Sequence, residues 1–231
     1  MITRQIKSEK QAPLKTDPTR TKTVYTFKYL DEAGNIVGKK LSEQCLHLKI
    51  PPVAWEVKIF PEAEKVLATW KDEKGRDQKL YSDNHKNGAK KRKFVRCKEL
   101  IEKLPDLEEA LRVGMSSDYW KDQEAAFILW IVKETGFRVG GTTDTKADTK
   151  AYGVSTLLCR HVRLLKNEGV RFCFIGKKGV LNRKTTQDQI TYMIVRAQRI
   201  SAYKTRLFNI SSAYCLQYLK RIAGDFQIKD L

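Results

Sequence analysis

Near residue 90 the apolar pattern changes period, and no other feature of the sequence restricts the fold so tightly. Before that point "TVYTFKYL", "WEVKIF" and "KVLATWKDEKGRDQKLYS" alternate apolar with polar side chains in short runs separated by polar turns. That is the period of strands with one buried face. After it, Phe94, Cys97, Leu100, Ile101 and Leu104 recur every three or four residues, the spacing of a helix with one buried stripe. The two patterns do not fit one layer type, so the sequence implies an α+β chain: a small β-rich N-terminal lobe followed by a mainly helical lobe.

Residues 1–20, rich in Lys, Thr and Pro, are expected as a mobile basic arm, residues 21–90 as the β-rich domain and residues 91–231 as the helical one. "IVGKKL" is expected to return on "TVYTFKYL" across the turn "DEAGN". In the second part "SSDYWKDQEAAFILWIVKETG" is the strongest helix, with a Ser or Asp cap, early acids and Gly136 as its stop. "RFCFIGKKGVLNR" spells a hairpin around a "GKKG" turn, and Leu216, Leu219 and Ile222 mark the inner face of a last helix.

Charge narrows the function. Lys and Arg number 45 against 27 Asp and Glu, a formal net charge of +18 spread along all 231 residues. Such an excess suits a polyanionic partner, because each phosphate neutralised by Lys or Arg releases condensed counterions. No stretch approaches the ~20 apolar residues of a membrane span, and the charged start "MITRQIKSEK" does not resemble a secretory signal. A site in the cytoplasm or nucleus of a host cell, or in a virion, is expected. The five cysteines form no C-x-x-C pair and the three histidines share no ligand spacing, so no metal site is implied, and the thiols are expected as free core residues.

Three basic features are candidate contacts with an anion. "KNGAKKRKFVR" carries Lys90, Lys91, Arg92 and Lys93 where the two patterns meet, as a cationic hinge or a solvated linker. "GKKG" puts Lys177 and Lys178 at a hairpin tip. "ETGFRVGG" presents Arg138 just past a helix stop, with Gly140 and Gly141 permitting close approach.

Taken in order, "KIPP", "WKDEKGRDQKLYSDNHKNGAKKRKFVR", "ETGFRVGG", "YGVSTLLCRHV", "FIGKKGV", "LFNIS" and "FQIKDL" resemble the poxvirus-like branch of the type IB DNA topoisomerases. The resemblance implies a C-shaped clamp around duplex DNA. It also implies a tyrosine that attacks a phosphodiester, forms a 3′-phosphotyrosyl link and lets the broken strand swivel before resealing, without ATP or metal. Supercoil relaxation by a monomer on DNA is the implied activity. Arg138 then matches the first catalytic arginine, and Lys177 matches the hairpin lysine that protonates the departing 5′-oxygen; Lys178 is its neighbour and alternative. Gln78 and Tyr81 fall where the family touches groove and backbone, with Arg76 and His85 close by.

The likeness has two gaps. In the family the residue after "FQIKDL" is the second catalytic arginine, and a histidine and the nucleophilic tyrosine come later; Tyr203, Tyr214 and Tyr218 lie outside that context. The stretch "GGTTDTKADTK" also lacks the basic and aromatic residues that follow the family's arginine. The expectation is a chain that binds duplex DNA and is inactive alone. The alternatives are a non-catalytic clamp, or one subunit of a split enzyme completed by a second chain.

Overall fold

The computed structural model describes residues 1–13, 16, 20–142, 145, 150–200 and 206–231. The chain divides into two compact units, Met1–Arg92 and Lys93–Leu231.

In the first unit five strands form one sheet in the order β2-β1-β3-β4-β5. They are β1 (Ile2–Pro13), β2 (Thr21–Leu30), β3 (Trp55–Ile59), β4 (Val66–Lys71) and β5 (Asp77–Tyr81), all neighbours being antiparallel. Ile2, Tyr29, Cys45, Val57, Ile59 and Ala68 form its core. Two expectations are corrected here. Residues 2–13 are not a mobile arm but β1, paired with β2 from Thr3↔Leu30 to Pro13↔Thr21; of the remaining arm, residues 14, 15 and 17–19 lie outside the described residues. "IVGKKL" is not a returning strand either, because α1 (Lys39–His47) starts directly after Gly38, and only an isolated bridge joins Leu30 to Ile36.

Arg4 explains why β1 is ordered. Its guanidinium donates to the carbonyls of Ile50 (3.1 Å), Pro51 (2.8 Å) and Ala54 (2.8 Å), and lies 4.2 Å from the Phe27 ring centroid. Prolines supply no N–H, so the "KIPP" loop offers carbonyls that need an outside donor. Arg4 is that donor.

The basic run is part of one helix, α2 (Asp83–Glu102), and the boundary between the two units falls within it, after Arg92. The run of good helix formers from Ala89 to Lys93 favours this. On α2 only Leu100 is buried, and Phe94 and Ile101, expected in the core, are 73% and 70% exposed.

The second unit is built around α4 (Trp120–Thr135), whose Ala125, Ala126, Ile128, Leu129, Trp130, Ile131 and Val132 are all buried. A helix apolar on every side must be central, and each large side chain there contributes ~1.5–3 kcal/mol. Around it lie α3 (Leu104–Met115), α5 (Gln189–Ile200), α6 (Ser212–Ala223) and a sheet of β6 (Val162–Leu164), β7 (Val170–Ile175) and β8 (Leu181–Thr186) in the order β6-β7-β8. Ser211 caps α6, its Oγ accepting from the Tyr214 N–H at 3.2 Å. The inner face of α6 is Cys215, Tyr218 and Leu219; Leu216 is half-buried. Cys45 and Cys215 are core thiols, but Cys173 is exposed on β7, because strand alternation turns it away from Phe172 and Phe174.

Candidate functional site

Arg138 owes its place to what surrounds it in the sequence. Gly136 ends α4 in the left-handed conformation (φ 68°), its N–H on the Val132 carbonyl at 2.8 Å. Phe137 then packs edge-on against Phe172 and Phe174, centroids 5.6 and 5.0 Å apart. The Arg138 carbonyl accepts from the Val154 N–H (3.0 Å), and Val139 from that of Ser155 (2.8 Å). Gly140 and Gly153 meet backbone to backbone: a Cβ on Gly153 would lie 2.5 Å from the Gly140 nitrogen and 2.6 Å from the Arg138 oxygen. That contact gives Gly140 and Gly153 a backbone reason to be glycine.

Lys177 sits in the turn Lys177–Gly179 between β7 and β8. The Gly176 N–H donates to the Val180 carbonyl at 2.7 Å, and Lys178 takes a left-handed φ of 63°, a strained setting for a residue with a Cβ. Both lysines are exposed. Below them Lys184 Nζ of β8 donates to the carbonyls of Glu134 (3.1 Å) and Thr135 (3.0 Å), covering the open end of α4 with a cation.

The structure brings the two expected cations together. Arg138 and Lys177 line one hollow of about 680 Å³, with Gly140, Gly141, Tyr152, Lys93 and Lys229 also in its wall. A second hollow of about 550 Å³ shares Arg138, Lys177 and Tyr152 and adds Lys178 and Asn182. Of the basic run, Lys93 alone reaches this site; Lys90, Lys91 and Arg92 are exposed on α2. Tyr152 and Lys229 were not singled out by the sequence. Tyr152 is fixed by its N–H on the Ile175 carbonyl (2.8 Å) and its ring against His161 (4.4 Å, 69°). Burial, helped by Arg160, holds the His161 imidazole below its usual pKa, and its Nδ1 accepts from the Leu158 N–H at 3.2 Å. Most of "TTDTKADTK" lies outside the described residues.

The expected contacts in the first unit form two pairs. Asp72 gathers Arg76 and Gln78: Arg76 Nε–H and Gln78 Nε2–H donate to its Oδ2 at 2.9 and 3.1 Å, and the Lys74 and Arg76 N–H groups to its Oδ1 at 3.0 Å. Hydrogen bonds from Arg76 foremost hold the Asp72 carboxyl down at about 2. Tyr81 and His85 stack at 4.9 Å and 25°. Alternation along β5 puts Gln78 on the face of Leu80, which packs on the core, and Tyr81 on the other face.

Both described tyrosines of α6 are engaged within the fold. The Tyr214 hydroxyl donates to Asp122 at 2.5 Å, and that bond, with some burial, pushes its pKa up to about 12. Tyr218 is buried, and burial likewise raises its pKa. Tyr203 lies outside the described residues.

Residues 82–231 match the family model for the eukaryotic DNA topoisomerase I catalytic core, well over half of the chain. The chain belongs to the type IB DNA topoisomerase family. It is 30% identical over 157 residues to the DNA topoisomerase 1B of Acanthamoeba polyphaga mimivirus, across 67% of this chain and 46% of that protein. The chain therefore spans about half the length of this topoisomerase relative.

Proposed function

We propose that the chain is part of the machinery that relaxes supercoiled duplex DNA, holding the duplex by its backbone and supplying two cations to the transesterification site. The observation that carries this reading is the shared hollow of Arg138 and Lys177. Phosphoryl transfer is chiefly positioning and neutralisation of charge on the equatorial oxygens. The planar guanidinium of Arg138 matches two such oxygens. Lys177, on a tip that projects from the sheet, is placed to protonate the departing 5′-oxygen. The attacking tyrosine forms the 3′-phosphotyrosyl bond, the P–O5′ bond breaks, and the freed 5′-hydroxyl reverses the exchange, so no ATP is consumed.

In this reading the 231 residues bind duplex DNA as a monomer without relaxing it. Tyr214 and Tyr218 are held in other bonds, and a nucleophile is made by geometry and neighbouring cations. The test is relaxation of a supercoiled plasmid, without ATP or divalent metal, by the chain alone and after adding a second polypeptide that carries the family's tyrosine. None is expected alone. Relaxation in the completed mixture should fall by about 10²–10³-fold in Arg138→Ala, while duplex affinity changes little. Turnover that survives Arg138→Ala and Lys177→Ala overturns the assignment. Relaxation by the chain alone that vanishes in Tyr152→Phe would instead make Tyr152 the nucleophile.

A further inference from the structure

The turn Ile228–Asp230 places Ile228, Lys229 and Leu231 in the wall of the larger hollow. Phe226, buried just before it, and the half-buried Ile228 and Leu231 pack the turn on the core, and the Asp230 N–H donates to the Gln227 carbonyl at 2.7 Å. Its polar hold comes from outside, from Arg96 of α2. Arg96 Nε–H donates to Asp230 Oδ2 at 3.0 Å and Nη2–H to Oδ1 at 3.4 Å. The Gln227 N–H adds a third bond to Oδ2 at 3.1 Å. The Asp230 side chain is 0% exposed. Burial works against its charge, but Arg96 and the Gln227 N–H outweigh burial and keep the carboxyl below its ordinary pKa.

Arg96 follows Lys93 by three residues and so shares its side of α2. Lys93 lines the hollow from one stretch of chain and Lys229 from another, and the ion pair joins those two stretches. Arg96 itself does not line the hollow, and the pair, being neutral, adds no net charge to it. We propose that Arg96 is a positioning residue for the phosphate hollow, acting through Asp230 to fix the separation of Lys93 and Lys229. The proposal rests on the reading of that hollow as a phosphate site.

The rival role, a direct phosphate contact, makes the opposite prediction for the partner residue. A phosphate ligand masked by Asp230 becomes stronger when Asp230 is neutralised; a bolt becomes weaker. The experiment is titration of the full 231-residue chain with inorganic phosphate, followed by the amide shifts of Gly140, Gly141 and Lys177. Arg96→Gln and Asp230→Asn should each raise the apparent dissociation constant roughly tenfold, the scale of a lost charge-assisted bond. The double variant should be no worse than either single one, because both remove the same joint. Arg96→Lys should recover part of the loss, and thermal melting checks that each variant is folded. Should Arg96→Gln not fold, Arg96→Lys and the isosteric Asp230→Asn carry the same comparison.

Tighter phosphate binding in Asp230→Asn, additive losses in the double variant, or unchanged binding in both single variants overturns the proposal. Arg138→Ala separates the two levels. If it leaves the phosphate response untouched, the site reading has failed; if it weakens the response while Arg96→Gln and Asp230→Asn do not, the bolt alone has failed.

Discussion

Replacing Gly153 with alanine tests how Arg138 is held. The φ of Gly153 is −147°, open to any residue, so the substitution is harmful only through contact. The new Cβ would sit 2.5 Å from the Gly140 nitrogen and 2.6 Å from the Arg138 oxygen and the Gly140 Cα. These are backbone atoms, so no rotamer change relieves the overlap, and the two segments must part. Overpacking costs ~1–3 kcal/mol and a lost backbone hydrogen bond ~1 kcal/mol, together about 2–4 kcal/mol. For a unit of this size that lowers the melting midpoint by roughly 5–12 °C. Displacing the guanidinium by about 1 Å should also cost a completed enzyme on the order of 100-fold in turnover. Gly136→Ala is the matched comparison. Its Cβ meets nothing within 4 Å, so only the left-handed φ resists it, at ~1–2 kcal/mol. Near-UV circular dichroism and phosphate-induced amide shifts read the two effects. If Gly153→Ala melts no lower than Gly136→Ala and keeps its phosphate response, the close-approach argument is wrong.

Three further outcomes are expected. Arg4→Ala, which strips donors from the carbonyls of Ile50, Pro51 and Ala54, should destabilise the first unit by about 2 kcal/mol and leave the second unchanged, measurable as separate transitions in calorimetry. Replacing Lys90, Lys91, Arg92 and Lys93 together by glutamine should lower the slope of log affinity against log salt by up to ~0.9 per lost phosphate contact; Lys93→Gln alone should also weaken the phosphate response, the other three singly not. Asp188 accepts from Trp130 Nε1–H (2.9 Å) and the Thr191 N–H (2.7 Å); burial pushes its carboxyl up, but these bonds prevail and hold it below its ordinary value. Its folded-state pKa is thus depressed, so the stability it contributes is complete above about pH 4 and lost as pH falls through the folded value. Asp188→Asn should therefore cost stability at pH 7 and progressively less as pH falls from about 4 through the folded value, in denaturant titrations.

What the sequence revealed was local. The change of period located β2 to β5 and the buried helix α4, though not the start of α1 in "IVGKKL", and the turns around "ETGFRVGG" and "GKKG" gave the settings of Arg138 and Lys177. β1 escaped notice because most of its residues are exposed; backbone pairing with β2 and the reach of Arg4 order it, and neither leaves an apolar pattern. α5 was missed although Asp188 stands just before it, because basic and polar residues interrupt its apolar face of Ile194 and Val195. The meeting of Lys93, Tyr152 and Lys229 with Arg138 depends on tertiary packing and has no signature in residue order. The same holds for Asp72, which the turn "DEKG" explains locally but whose hold on Gln78 becomes visible only once the hairpin is folded.

Lys184 has a consequence beyond sealing a helix end. It fastens β8 to the last carbonyls of α4, while Phe137 is keyed into the rings of β7. The helix that leads to the guanidinium and the hairpin that carries the ammonium are therefore cross-tied. One joint is polar and one aromatic, so the spacing of the two backbones is tied at two independent points. On the function proposed above, the backbones of both cations stand in place before DNA arrives, and the exposed side chains of Arg138 and Lys177 make the last adjustment.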